Sequence, residues 1–132
     1  MTRRLTIVFA ITLVLALAVA GCGGAKKKAT PTPAGLSPET LAQGKQLYEQ
    51  SCSACHGPVA KGLPNLGKDL TTSEFAKGLS DDQLLDFVKK GRPVGDSANT
   101  TGVDMPPKGG NPALTDDQLK AIIAYVRTLE KK

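Results

Sequence analysis

Cys52-Ser53-Ala54-Cys55-His56 places two thiols and an imidazole within five consecutive residues. It holds two of the chain's three cysteines and its one histidine. The usual readings of clustered Cys and His fail on inventory. A structural zinc site takes four Cys or His ligands, and the one remaining Cys, Cys22, sits far upstream in a segment with another use. A thioredoxin-like redox pair belongs in a βαβ context, and no alternating strand pattern of convincing length occurs in the chain. A plain disulfide leaves His56 without a part.

What remains is the C-x-x-C-H pattern of covalent c-type haem attachment. Two thiols separated by two residues on a helical turn can add to the two vinyl groups along one porphyrin edge. The next residue then projects its imidazole beneath the iron. Cys52, Cys55 and His56 are therefore read as one site for one haem.

Outward from this site, three helix starts share a plan. Leu36-Ser37-Pro38-Glu39-Thr40-Leu41, Leu79-Ser80-Asp81-Asp82-Gln83-Leu84 and Leu114-Thr115-Asp116-Asp117-Gln118-Leu119 each place a hydroxyl at the N-cap and acid in the first turn, which suits the helix dipole. In the last two, a Gln three residues on completes a capping box, and in all three a Leu before the cap can staple onto a Leu at the fourth helical position. The spacing predicts helices over 37–51, 80–90 and 115–130. Apolar faces follow at helical period: Leu41, Gly44 and Tyr48, continuing to Cys52; Leu84, Leu85, Phe87 and Val88; Leu119, Ile122, Ile123, Val126 and Leu129. Similarity between the last two starts fades after six residues, so a repeat is not inferred. The expected fold class is all-α. Between Gly91 and Pro112 lie 22 residues rich in Pro and Gly, too long to stay structureless in a small domain unless function holds them down.

The first third of the chain reads as an address. Arg3 and Arg4 precede an uncharged run of 16 residues, Leu5 to Ala20, apolar except for Thr6 and Thr12 and leading into Val19-Ala20-Gly21-Cys22, the layout of an export signal. Its end resembles the bacterial lipobox, and that resemblance implies cleavage before Cys22 and lipidation of Cys22. The alternative is an uncleaved anchor helix barely long enough for a bilayer. Residues 1–21 are thus expected as signal peptide. Residues 22–36 follow as lipidated Cys and flexible Lys/Pro tether, and 37–132 as the folded domain. Lys26 to Lys28 either face anionic headgroups or keep the tether solvated.

The chain has 132 residues and a formal charge of +5, which by itself would suggest nucleic acid as a partner. All five surplus charges are Arg3, Arg4 and Lys26 to Lys28. From Ser37 onward there are 12 basic and 12 acidic residues, a balance of zero, so that suggestion is dropped. Beyond Ser37 the chain has four aromatic residues and no Trp. A porphyrin would supply the missing apolar body.

The motif and its surroundings, from about Ser37 to the C-terminus, resemble the class I monohaem cytochrome c family. The resemblance implies a small fold in which N- and C-terminal helices cross around a haem-centred core, here through Gly44, Tyr48 and Tyr125. Gly62-Leu63-Pro64-Asn65-Leu66-Gly67 is similar to the family's Gly-Pro-Asn-Leu segment with Leu63 inserted. It implies that the Pro64 carbonyl accepts from His56 Nδ1 and so orients the ring; Pro58, nearer in sequence, is the rival. For the sixth ligand the chain offers no second His, and Met105 is its one Met besides the initiator. Pro106 biases Met105 toward extended backbone, and a His/Met pair matches the family. Lys ligation and an open position stay as alternatives.

Leu63, Leu66, Leu70, Phe75 and Val103 are candidate pocket lining, and Arg92, Asn99, Thr100 and Thr101 candidate propionate partners. A six-coordinate iron leaves no substrate position and suits outer-sphere electron transfer. The expectation is a membrane-tethered single-haem carrier, not an enzyme. It would be exported in a bacterium and lipid-anchored in the periplasm or on the outer face of the cytoplasmic membrane. It would exchange electrons with respiratory or photosynthetic redox complexes, with no nucleic acid and no small-molecule substrate. The alternatives are a fixed haem subunit of a larger oxidoreductase, and a haem enzyme or gas sensor with an open sixth position.

Overall fold

Ser37 caps the first helix, α1 (Pro38–Ser51), by accepting from the Thr40 amide at 3.1 Å, with Pro38 at the first helical position. Pro is tolerated there because that N–H has no intrahelical partner. The computed structural model describes residues 37–131. The signal, Cys22 and the Lys tether expected over 1–36 lie outside them. Four further helices follow: α2 (Ser53–His56), α3 (Glu74–Lys77), α4 (Asp81–Lys90) and α5 (Asp116–Leu129), with a 3₁₀ turn at Pro107–Gly110. Both expected capping boxes are formed, Ser80 with Gln83 on α4 and Thr115 with Gln118 on α5. Among the described residues there is no strand, only the isolated bridges Leu63↔Gly67 and Arg92↔Met105. The all-α expectation holds. The short helices α2 and α3 and the 3₁₀ turn had no periodic signature, being too brief to show one.

The largest helix pairing is α1 against α5, and Gly44 makes it close. A Cβ built on Gly44 would lie 2.0 Å from the Ala121 carbonyl oxygen. Only a residue without a side chain lets the two backbones approach this far. One turn on, Tyr48 is fully buried, its ring 5.6 Å from that of Tyr125 at a tilt of 58°. Its hydroxyl donates to the Gly57 carbonyl at 2.7 Å.

The core joins Tyr48 to Leu84 and Leu85 of α4 and to Leu119, Ile122, Ile123 and Val126 of α5. Full burial of each such aliphatic side chain is worth about 1.5–3 kcal/mol. Leu79 and Leu114, each just before a cap, pack into or against the same cluster. Arg127 fastens α5 to the α3–α4 corner: Nη1 donates to the Ala76 carbonyl at 2.9 Å, Nη2 to the Leu79 carbonyl at 2.6 Å, and Nε to Asp81 at 2.9 Å. Among the described residues no helix is long and apolar enough to cross a membrane.

Candidate functional site

Cys52 ends α1 and its carbonyl accepts from the His56 amide at 2.9 Å, so the five-residue motif closes into the single turn α2. Gly57, at φ +74°, stops that turn immediately after the imidazole. The motif thus occupies a helical turn, as its spacing requires. Cys52 and Cys55 are both half-buried free thiols. Burial first, and then proximity to Cys55, push the Cys52 thiol up to about 11, so in this fold it stays protonated at neutral pH.

His56 Nδ1 is 2.8 Å from the Lys68 carbonyl oxygen. This corrects the expectation for Pro64. The ring has one Nδ1–H to give, Lys68 receives it, and Pro64 and Pro58 are both exposed. The cause is the turn between them. Leu63 and Gly67 exchange backbone bonds of 3.1 and 3.2 Å, with Asn65 left-handed at φ +56°. Gly67 then lies directly on the motif: a Cβ there would be 2.3 Å from the Cys55 carbonyl oxygen. That contact carries the next carbonyl, Lys68, to the imidazole. A backbone acceptor leaves no side-chain signature, so the sequence had no means of naming Lys68. Asp69, beside it, accepts from the Thr71 hydroxyl at 2.6 Å and amide at 2.7 Å, which holds its carboxyl below the usual range.

Met105 sits at the foot of the long loop. Its amide donates to the Arg92 carbonyl and its carbonyl accepts from the Arg92 amide, both at 2.8 Å. The loop between is organised by Asn99, whose Nδ2 donates to the Val103 and Pro93 carbonyls at 2.8 and 3.2 Å. Its Oδ1 accepts from the Thr101 and Gly102 amides at 3.1 and 3.0 Å. Lys108, the lysine nearest in sequence to Met105, is drawn to the Leu114 and Pro112 carbonyls at 2.7 and 3.2 Å.

Cys52, Cys55, His56 and Met105 all line one cavity of about 540 Å³, a size usual for a bound organic cofactor. Its wall adds Leu66, Leu70, Phe75, Phe87 and Val103, and along it lie Arg92, Asn99, Thr100 and Thr101. Leu63, expected in the lining, is not part of it and stays partly exposed. Two thiols, a ring-oriented imidazole, a thioether and an apolar wall are the donor set and surface a porphyrin needs. Among the described residues no group of three or more His, Cys, Asp or Glu side chains is placed to hold a metal ion directly. The residues present therefore fit a haem and not a protein-ligated metal cluster.

A protein-family profile described as cytochrome C oxidase, cbb3-type, subunit III matches residues 39–126. Cytochrome c-555 of Chlorobaculum thiosulfatiphilum is 36% identical over 86 residues, covering 64% of this chain and 91% of that one. Cytochrome c-551 of Bacillus subtilis is 32% identical over 127 residues, 94% of each chain. Photosystem II extrinsic protein V of Cyanidium caldarium is 32% identical over 103 residues, 70% of this chain but 65% of that one. The match to the cbb3-type oxidase subunit CcoP of Azospirillum brasilense, 29% over 100 residues, spans 32% of that protein. No solved structure matches the chain. Matched through the haem-attachment turn and both crossing helices, the chain belongs to the class I monohaem cytochrome c family, with one covalently bound haem c as its cofactor.

Proposed function

We propose that this cytochrome c is a membrane-tethered carrier of single electrons between redox protein complexes, with no substrate of its own. The observation that carries the reading is the cavity in which Cys52, Cys55, His56 and Met105 meet. Haem, when bound, supplies the one-electron couple. Cys52 and Cys55 would hold it by thioether bonds, and His56 and Met105 would bind its iron. The Lys68 carbonyl fixes the His56 ring and makes it a better donor. Thioether ligation favours ferrous iron, so the couple should be more oxidising than a bis-His haem. Met105 is held to Arg92 by two backbone bonds at a loop that Asn99 stiffens, so the sixth ligand would be retained in both oxidation states. Ligand retention keeps reorganisation small and small molecules out.

Cys22 and the tether lie outside the described residues, and their roles rest on the sequence. The Bacillus subtilis relative aligns over nearly the whole length, this N-terminal stretch included. Lipidation of Cys22 predicts that Cys22→Ser releases the protein from membranes into the soluble fraction of cells.

The decisive measurement is the optical spectrum of the haem-loaded chain. Low-spin spectra in both states, with no carbon monoxide binding at neutral pH, are expected. Ready carbon monoxide binding by the ferrous protein would overturn the carrier reading in favour of a sensor or enzyme. A second reading, a fixed haem subunit of an oxidase, draws on the cbb3-type profile match. Co-purification at fixed stoichiometry from mild detergent would favour it over a free carrier.

A further inference from the structure

The residues that follow Met105-Pro106-Pro107 are left-handed in succession: Lys108 at φ +54°, Gly109 at φ +65° and Gly110 at φ +84°. Glycine takes that region without steric cost. A residue with a Cβ is strained there and persists only where its surroundings hold it. For Lys108 the side chain supplies the hold. Its Nζ donates to the Leu114 carbonyl at 2.7 Å and to the Pro112 carbonyl at 3.2 Å. Leu114 is buried and directly precedes Thr115, the cap of α5, so the ammonium ties the strained turn to the start of that helix.

The turn is joined to Met105 by a stiff span, because the rings of Pro106 and Pro107 lock φ at both positions. The Gly109 amide donates to the Pro106 carbonyl at 3.0 Å and closes the turn. Its other side rests on the haem-attachment motif: a Cβ on Gly109 would lie 2.9 Å from the Ser51 carbonyl oxygen and 3.8 Å from Cys52 Sγ. Asn111 Nδ2 adds a bond to Ser51 Oγ at 3.3 Å. Upstream, Met105 is paired with Arg92, and a Cβ on Gly91 would stand 2.3 Å from the Met105 carbonyl oxygen. The segment carrying Met105 is thus anchored at both ends, by Arg92 before it and by Lys108 after it.

We infer that Lys108 is a positioning residue for Met105: its ammonium, bound to two carbonyls beside α5, holds the left-handed turn that keeps Met105 at the cavity wall. It acts through the Pro106–Pro107 span and not as an iron ligand, since those carbonyls engage its ammonium. The inference rests on the reading of Met105 as sixth ligand. Without the ammonium the strain is unopposed, the turn relaxes, and Met105 loosens its hold on the iron. The ferric state is affected first, because thioether sulfur favours ferrous iron.

The test compares Lys108→Ala with Lys108→Gly in the full chain loaded with haem. Alanine keeps the Cβ and loses the ammonium, whereas glycine loses both and can hold the left-handed turn unaided. The readouts are the weak red absorption band of thioether-ligated ferric haem, and the affinity of the ferric protein for added imidazole, which must displace Met105. Lys108→Ala should lose most of the band and bind imidazole about tenfold more tightly than wild type. Lys108→Gly should regain most of the band and bind imidazole with nearly wild-type affinity. Lys89→Met, which removes a positive charge from the exposed pair with Asp116, should match wild type in both. Wild-type values in Lys108→Ala would overturn the inference. So would a Lys108→Gly no closer to wild type than Lys108→Ala, or a matching loss in Lys89→Met. A wild-type chain without the band would end the Met105 reading and this inference with it, whereas a wild-type chain that shows the band tests Lys108 alone.

Discussion

Met105 and Tyr48 show what single residues do here. Met105 is held by its backbone to Arg92 and not by apolar packing at helical spacing, so its side chain is free for a ligand's task. Met105→Ala should leave the fold standing, convert the iron to high spin, lower the potential and admit carbon monoxide. Unchanged visible spectra would reject Met105 as ligand. Tyr48 is different in kind. Its hydroxyl satisfies the Gly57 carbonyl at the very residue that ends the haem-binding turn. Burial holds its phenol well above the ordinary range, so it acts only as a donor. Tyr48→Phe leaves the Gly57 carbonyl with the Ala60 amide, at 3.2 Å, as its remaining partner, so it should cost about 0.5–1.5 kcal/mol in denaturant titration, with the optical spectrum retained.

At the scale of elements, two contacts decide the assembly. A methyl group on Gly44 meets the Ala121 carbonyl at 2.0 Å. Gly44→Ala would gain about 1 kcal/mol of helix propensity if α1 stood alone. In the fold, the overlap with backbone forces α1 and α5 apart, so the net should be destabilising by about 1–3 kcal/mol or more. Equal or greater stability of Gly44→Ala would show that the crossing tolerates separation. Arg127, about one-fifth exposed, serves three partners on the α3–α4 corner. Arg127→Met keeps the stem but takes the Arg127 donor from the Leu79 carbonyl and leaves the Ala76 carbonyl only backbone donors such as the Leu79 amide at 3.3 Å, and should lower the melting temperature by more than Lys89→Met at the exposed Lys89–Asp116 pair. The helix starts were legible because caps and first turns are local, each settled by six residues. The Lys68 acceptor was not, because it depends on where the Gly62–Gly67 turn lays the chain.

The whole molecule is built around its cofactor site. The cavity of about 540 Å³ takes in side chains from α1, α4 and α5 and from the Met105 loop, so these elements share the cofactor as a common packing partner. The chain with both Cys52 and Cys55 replaced by Ala should therefore lose haem, near-ultraviolet dichroism and cooperative melting together. For the same reason the haem-free wild-type chain should expose both thiols, which would react with iodoacetamide at similar rates near pH 8. A fold that survived without haem would instead protect Cys52 until pH approached about 11, where its buried thiol ionises. Haem attachment is thus expected to precede the final packing of α1 on α5.

By itself, the sequence determined what is local or a matter of inventory. It supplied the haem-binding turn, the three capped helices, the balanced charge beyond Ser37, and the scarcity that left His56 and Met105 as the available pair of iron ligands. These follow from short-range spacing and from residue counts, which need no coordinates. The tertiary structure decided what depends on distant segments meeting. It gave His56 the carbonyl of Lys68 in place of Pro64, removed Leu63 from the cavity wall, and bound Met105 to Arg92. It also turned Asn99 inward to its own loop and Lys108 onto two backbone carbonyls. The physical reason is the same in each case: a backbone carbonyl or an engaged hydroxyl has no signature in a string of residues, and its partner is set by where the chain turns.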